Sequence, residues 1–477
     1  MPPRQIQDYA DSGIKDAFTG GTNLIKVSKH DAITLRISHA MSKSKLSSLE
    51  MYLFVPGEIG LNQNLMPETD LYYNCLTQKR AYYSDKHLLP LIHSRLAQRG
   101  RLSSTQYRIS LSLFAYQYVM ALDNAVDDLL HDSDNVTETE IDNVVELTLD
   151  ILRRLRRTIP YEETLKRYYT NIDNYLSWYT EQKFLSLVAH LTRDSEYKTI
   201  KDRLIILAEK EQAHRALHHY NSTQAAQDIT RISNKMRLLR RLIEHPVILK
   251  ETLIALGNNI RRAVKGIATG FVMLFVTMIV VFARDYWGEI TASFVIAMSF
   301  LYALREIFKD DLKDMLWRWL RKGKPKWKRR YYDPSTGNQI GQKYEWLNYQ
   351  TISNLPDRIQ RIRKKRIVQR EEQVISYRSE TEMSTSRFMS GYEETREIIY
   401  FDFREITRLF DKDTYRVYRL NNGQVSREKI EKRHLFNLII KQDNHIDEPI
   451  YYRWKVVLNR SKIVAIEPIE LTSNELE

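Results

Sequence analysis

The sequence predicts a membrane protein built on a two-helix transmembrane hairpin, with a mostly α-helical cytoplasmic region before it and an α+β, strand-rich cytoplasmic region after it. Three observations carry this expectation. Gly266–Ala283 runs eighteen residues without a charge or a proline. Ile290–Leu304 gives a second, shorter uncharged stretch. Basic residues crowd the outer flanks of both, while the short connection holds Asp285 and Glu289 against Arg284.

As a helix the first stretch rises about 27 Å, close to a hydrocarbon core of roughly 30 Å. It is apolar on every face, which suits lipid better than the core of a domain. Tyr286 and Trp287 fall where an interfacial aromatic belt belongs. Arg261, Arg262 and Lys265 precede the first stretch, and Arg305, Lys309, Lys313 and Arg318 follow the second. The positive-inside rule then places both termini in the cytoplasm of a multi-pass plasma-membrane protein. Gly266 and Gly270 form a GxxxG pattern, a candidate packing face between the two spans or between two copies in a homo-oligomer.

The flanking regions divide by periodicity. Residues 1–100 read as a small α/β region behind a polar N-terminus. Within it Ile33, Leu35 and Ile37 alternate with Thr34, Arg36 and Ser38, the pattern of a half-buried strand, and Glu50–Val55 forms a second strand ended by Pro56-Gly57. Residues 101–262 read as a helical domain. Ser103 with Gln106, and Thr137 with Glu140, are capping boxes at two helix starts. Further helices are expected over 161–191, 196–220 and 224–244, with a last one opening at Pro246. The hairpin occupies 263–305.

A basic amphipathic helix is expected over 306–330, with Asp314 and Arg318 paired one turn apart. Its Trp317, Arg318, Trp319, Arg321, Lys322, Lys324, Lys326, Lys328, Arg329 and Arg330 are candidates to meet anionic lipid headgroups. Residues 331–477 read as a strand-rich domain. It has a turn at Tyr332–Gly337, a hairpin around Asn421-Asn422-Gly423 and another around Asn459–Lys462. The tract Arg358–Arg370 holds seven basic residues, but no nucleic-acid motif accompanies it, which disfavours a nucleic-acid partner.

Candidate chemistry is sparse. Cys75 is the only cysteine, so the chain cannot form an internal disulfide, and a small semi-buried side chain explains it better than a nucleophile. Glu211, His214 and His218 fall on one side of a helix, and Asp127, Asp128 and His131 lie on another. Together they are the candidate ligands for a divalent transition metal, in the manner of carboxylate bundles. Asp123, Asp127 and Asp128 are also candidates to hold Mg²⁺. Phosphate-binding, dinucleotide and hydrolase motifs are absent from the sequence. The expectation is a non-enzymatic, membrane-tethered scaffold, regulator or signalling protein acting through protein partners. The alternative is a metal-dependent membrane-bound enzyme.

Overall fold

The computed structural model describes residues 25–41, 46–83, 103–131, 137–191, 197–287, 292–363, 372–388, 394–410, 415–421, 424–430, 432–443 and 448–471. The chain opens with strands β1 (Lys26–Lys29), β2 (Thr34–Met41) and β3 (Leu46–Pro56), helix α1 (Glu68–Cys75) and strand β4 (Leu76–Tyr83). A helical body follows: α2 (Ser104–His131), α3 (Glu138–Arg156), α4 (Glu163–His190), α5 (Lys198–Leu217), the short α6 (Thr223–Gln227) and α7 (Ile229–Glu244). Both expected capping boxes are present. Ser103 and Gln106 bond reciprocally at 3.2 Å, and Thr137 and Glu140 do the same at the head of α3. Leu111, Phe114, Leu122, Leu176 and Phe184 fill the core between α2 and α4.

The helix expected to open at Pro246 does not form. Val247 and Leu249 are buried, and their backbones bond to Tyr82 and Arg80 of β4. The chain then extends as β5 (Lys250–Ala255) before turning into α8 (Asn258–Trp287) and α9 (Ala292–Arg321). The remaining elements are β6 (Trp327–Tyr332), β7 (Gln339–Gln350), α10 (Asp357–Arg363), β8 (Glu372–Met383), β9 (Glu394–Asp402), α11 (Arg404–Thr407), β10 (Tyr415–Asn421), β11 (Gln424–Ile430), β12 (His434–Asp443), β13 (Ile450–Leu458) and β14 (Ile463–Ile469).

The strands form a four-stranded sheet, β1-β2-β9-β4, an eight-stranded sheet, β14-β13-β12-β3-β8-β7-β6-β5, and a ribbon of β10 and β11. Strands from residues 1–100 and 331–477 therefore share both sheets: β3 lies between β8 and β12, and β9 lies between β2 and β4. Leu35 and Ile37 of β2 meet Leu53, Tyr377 and Phe436 of the large sheet in one core. The other face of β2 is buried too, since Arg36 reaches Met120 of α2. The expected half-buried strand thus packs on both sides.

The transmembrane hairpin is corrected. Among the described residues one helix alone, over Asn258–Arg284, is long and apolar enough to cross a membrane. In α9 only the thirteen residues Ala292–Leu304 precede Arg305 without a charge. They rise about 20 Å, well short of a hydrocarbon core of roughly 30 Å. The separate amphipathic helix expected over 306–330 is also replaced: α9 runs unbroken to Arg321, and Trp327–Tyr332 is strand β6. Asp314 and Arg318 do not form their side-chain pair; Arg318 donates instead to the Asp314 carbonyl at 3.3 Å.

Gly341 shows how tightly β7 and β8 pack. A Cβ there would stand 2.8 Å from the Glu382 carbonyl oxygen and collide with the Met383 sulfur. Backbone cannot yield as a flexible side chain does, so Gly341→Ala should lower stability by about 1–3 kcal/mol, the usual range for overpacking. A denaturant melt of the purified variant checks this.

Candidate functional site

Helices α8 and α9 lie antiparallel and form an arm. Val264, Ala268, Val272 and Val276, spaced four apart, make the buried seam of α8. The rest of the helix is open: Ile267, Phe271, Leu274, Phe275, Met278 and Phe282 are each more than half exposed. Only 17% of the most apolar eighteen-residue window is buried. Gly266 and Gly270 are exposed, and a Cβ on either would meet open space, so the GxxxG pattern is not the packing face between α8 and α9.

Both ends of the arm are clamped into the large sheet. Leu256 bonds to the Lys326 carbonyl at 2.8 Å, and β5 pairs antiparallel with β6 from Lys250–Tyr332 to Ala255–Trp327. Arg321 donates to the Leu256 carbonyl at 2.6 Å. The Trp317 ring lies under the guanidinium groups of Arg321 and Arg261, at 5.5 and 6.0 Å. Gly257 sits at φ +102°, where a Cβ would stand 2.9 Å from Arg321 and 3.0 Å from Trp317. Glycine is required there on both counts.

The expected lipid-facing residues therefore divide. Arg318, Trp319, Lys322 and Lys324 are exposed, and Arg330 is half-buried. Trp317 and Arg321 hold the root of the arm. Lys326 bonds to Glu68, the Leu347 carbonyl and Asn348. Lys328 lies on the Tyr344 ring, and Arg329 is buried against Glu251, Glu345 and Tyr72. Half of the tract supplies the fold rather than a surface. Of the second tract, residues 364–370 lie outside the described residues, while Arg363 pairs with Glu372 at 2.5 Å.

The candidate metal ligands are not gathered. Glu211 takes a bidentate pair from Arg156, at 2.9 and 2.6 Å. His214 Nε2 stands 2.9 Å from Asp173, which also accepts from Tyr220 at 2.7 Å and from Arg156 at 3.1 Å. His218 stacks on Tyr220. Burial alone would raise the Asp173 carboxyl, but His214 and Arg156 outweigh it and hold it below the usual range. This cluster ties α3, α4 and α5 together. Asp123 accepts from Tyr179 and Lys183 at another level of α4. Asp127 is half-buried, and burial pushes its carboxyl up despite nearby Lys183. The side chains of Asp128 and His131 lie outside the described residues. Among the described residues no three His, Cys, Asp or Glu side chains stand together as a metal site. Cys75 is buried, and burial pushes its thiol up to about 12.

The densest polar cluster was not expected from the sequence. Between the two sheets Glu397 of β9 meets Arg80 of β4 at 2.8 Å and Lys343 of β7 at 2.7 Å. Glu345, also on β7, accepts from Tyr72, Gln78 and Tyr377, each at 2.6 Å. Arg329 of β6 joins Glu345 at 3.3 Å to Glu251 of β5 at 2.7 Å. His39 of β2 stands 3.5 Å from Glu397. Three cations thus balance three carboxylates. Asp173 left a signal that could have found the helical cluster: it interrupts the apolar stripe of Tyr169, Ile172, Leu176 and Phe184. The sheet cluster left no such local signal.

His39 gives this cluster a pH dependence. Burial pulls its pKa from 6.5 down to about 4, against the pull of Glu397. The unfolded chain binds the proton more readily, so stability should fall as pH drops from about 6.5 to about 4. The loss from this group amounts to about 3 kcal/mol. The carboxylates, held low, add their own loss only below their ordinary range. Chemical melts across that window should show a shallower slope for His39→Gln. An unchanged slope would place the titration elsewhere. No family model, curated protein or solved structure matches this chain.

Proposed function

We propose that this chain is a membrane-attached protein, held by the α8–α9 arm, whose sheets and helical body stand at one face of a lipid bilayer and act there as a scaffold or regulator of protein partners. The exposure of α8 carries this reading. A core helix of a soluble domain is mostly buried, whereas this one leaves most of its apolar surface uncovered. Because β5 and β6 pair, both ends of the arm return to one sheet. In this reading the folded parts lie on a single side, and α8 meets the lipid from there. The root of the arm carries Arg261, Arg262 and Lys265 on α8, with Arg318, Lys322 and Lys324 exposed at the end of α9. Such residues favour an anionic, cytoplasmic leaflet. A scaffold role fits the polar clusters, whose charges are largely spent on one another.

Membrane fractionation tests the attachment. Phe271, Leu274, Phe275 and Met278 are 64, 64, 59 and 52% exposed. Each contributes about 1–2 kcal/mol once removed from water, the share of the roughly 1.5–3 kcal/mol for full burial that its exposure leaves. The parent chain should pellet with membranes and resist a high-salt wash, and replacing all four residues with serine should release it. A parent that stays soluble and monodisperse without detergent would end this reading.

A further inference from the structure

We propose that one face of the β10–β11 ribbon is a second membrane contact, docking on an anionic lipid surface beside the root of the arm. Among the described residues the two strands pair only with each other. Their register sets Arg416 opposite Lys429, Tyr418 opposite Arg427 and Leu420 opposite Val425. Strand alternation puts these six positions on one face. Among the described side chains it carries two cations and three apolar or aromatic residues. The opposite face includes Val417, Arg419 and Ser426.

The apolar members of this face are uncovered: Tyr418 is 66%, Leu420 71% and Val425 69% exposed. The Arg427 guanidinium lies 5.7 Å from the Tyr418 ring centre. Among the described residues neither Arg416 nor Arg427 has a carboxylate partner. An isolated two-stranded ribbon is marginal in water and gains from an occupant. Apolar and aromatic groups interleaved with exposed cations fit a surface that offers hydrocarbon and anionic headgroups together.

Position strengthens the case. Ribbon strand β11 leads into the start of β12. Across the large sheet, the start of β12 lies with the end of β3, where Asn437 faces Phe54. The end of β3 lies with the start of β8, where Pro56 faces Glu372. The start of β8 lies with the end of β7, where Val374 faces Gln350. At the middle of β7, Glu345 faces Trp327, where β6 receives the arm. Ribbon and arm thus leave the sheet in the same strand direction. The four strand spacings between their roots span about 19 Å across the sheet, and Glu345 stands five residues before the end of β7 at Gln350.

The lipid context rests on the attachment proposed above, and the experiment separates the two. Cys75 is buried, so an environment-sensitive fluorophore can be placed on Leu420→Cys or, separately, on Phe275→Cys in the full chain. Each labelled protein is reconstituted with phosphatidylcholine vesicles, with and without phosphatidylserine. The expected result is a blue-shifted label at Leu420 that is shielded from aqueous iodide only when phosphatidylserine is present. Moderate salt, or Arg416→Glu with Arg427→Glu, should weaken that shielding at least tenfold while the Phe275 label stays buried. A Leu420 label that remains wet beside a buried Phe275 label overturns the ribbon proposal alone. A shielded Leu420 label beside a wet Phe275 label overturns the arm and leaves the ribbon standing, and two wet labels overturn both. A Leu420 label that responds to added RNA and not to vesicles assigns the face to nucleic acid and sinks the proposal.

Discussion

The ion-paired network between the two sheets is the constraint on which the rest of the structure depends. Arg80, Lys343 and Arg329 are removed from water together with Glu397 and Glu345, while Glu251 closes the network at a more exposed edge. Isolated burial of any one of these charges would cost several kcal/mol. They are tolerated because the set is balanced and because Tyr72, Gln78 and Tyr377 donate to Glu345. Loss of a single partner would leave an uncompensated charge, at a cost of about 3–5 kcal/mol. Glu251 and Arg329 sit on the strands that flank the arm, so the same network that joins the sheets also fixes the root of α8 and α9.

Much of the local structure was legible in the sequence, because it depends on neighbours along the chain. The two capping boxes, the Asn421–Gln424 hairpin and the turn at Asn459–Lys462 all follow from residues a few positions apart. The apolar stretch of α8 was equally plain. What escaped was long-range. Tyr72 meets Glu345 across 273 positions, and Arg80 meets Glu397 across 317. No window of sequence holds both partners. Strand β5 was missed for another reason: it is exposed along its whole length, so no alternation marks it, and only its pairing with β6 makes it a strand.

The basic tract illustrates how composition misleads. A run of cations beside an apolar helix reads as a headgroup-binding surface, yet Lys326 and Arg329 turn inward to meet Glu68 and Glu345. Within β6 alternation sorts them: Trp327, Arg329 and Tyr331 face the core, while Lys328, Arg330 and Tyr332 face outward. Likewise, Glu211 and His214 share a helix face as metal ligands would, but an arginine from α3 already occupies that carboxylate.

The interleaving of early and late strands sets the order in which a ribosome can deliver this fold. When α8 and α9 leave the exit tunnel, β2, β3 and β4 have been made, but β8, β9 and β12, the neighbours of β3 and the centre of the small sheet, have not. Neither sheet can close until these later strands have been made, and such distant pairing is slow to form. The helical body, α2 to α7, has no such wait. The apolar arm is therefore exposed during translation before either sheet is complete, and β3, whose two neighbours both follow it, stays open at both edges. Targeting of the arm, and protection of those edges from other chains, are tasks of the growing polypeptide rather than of the finished one.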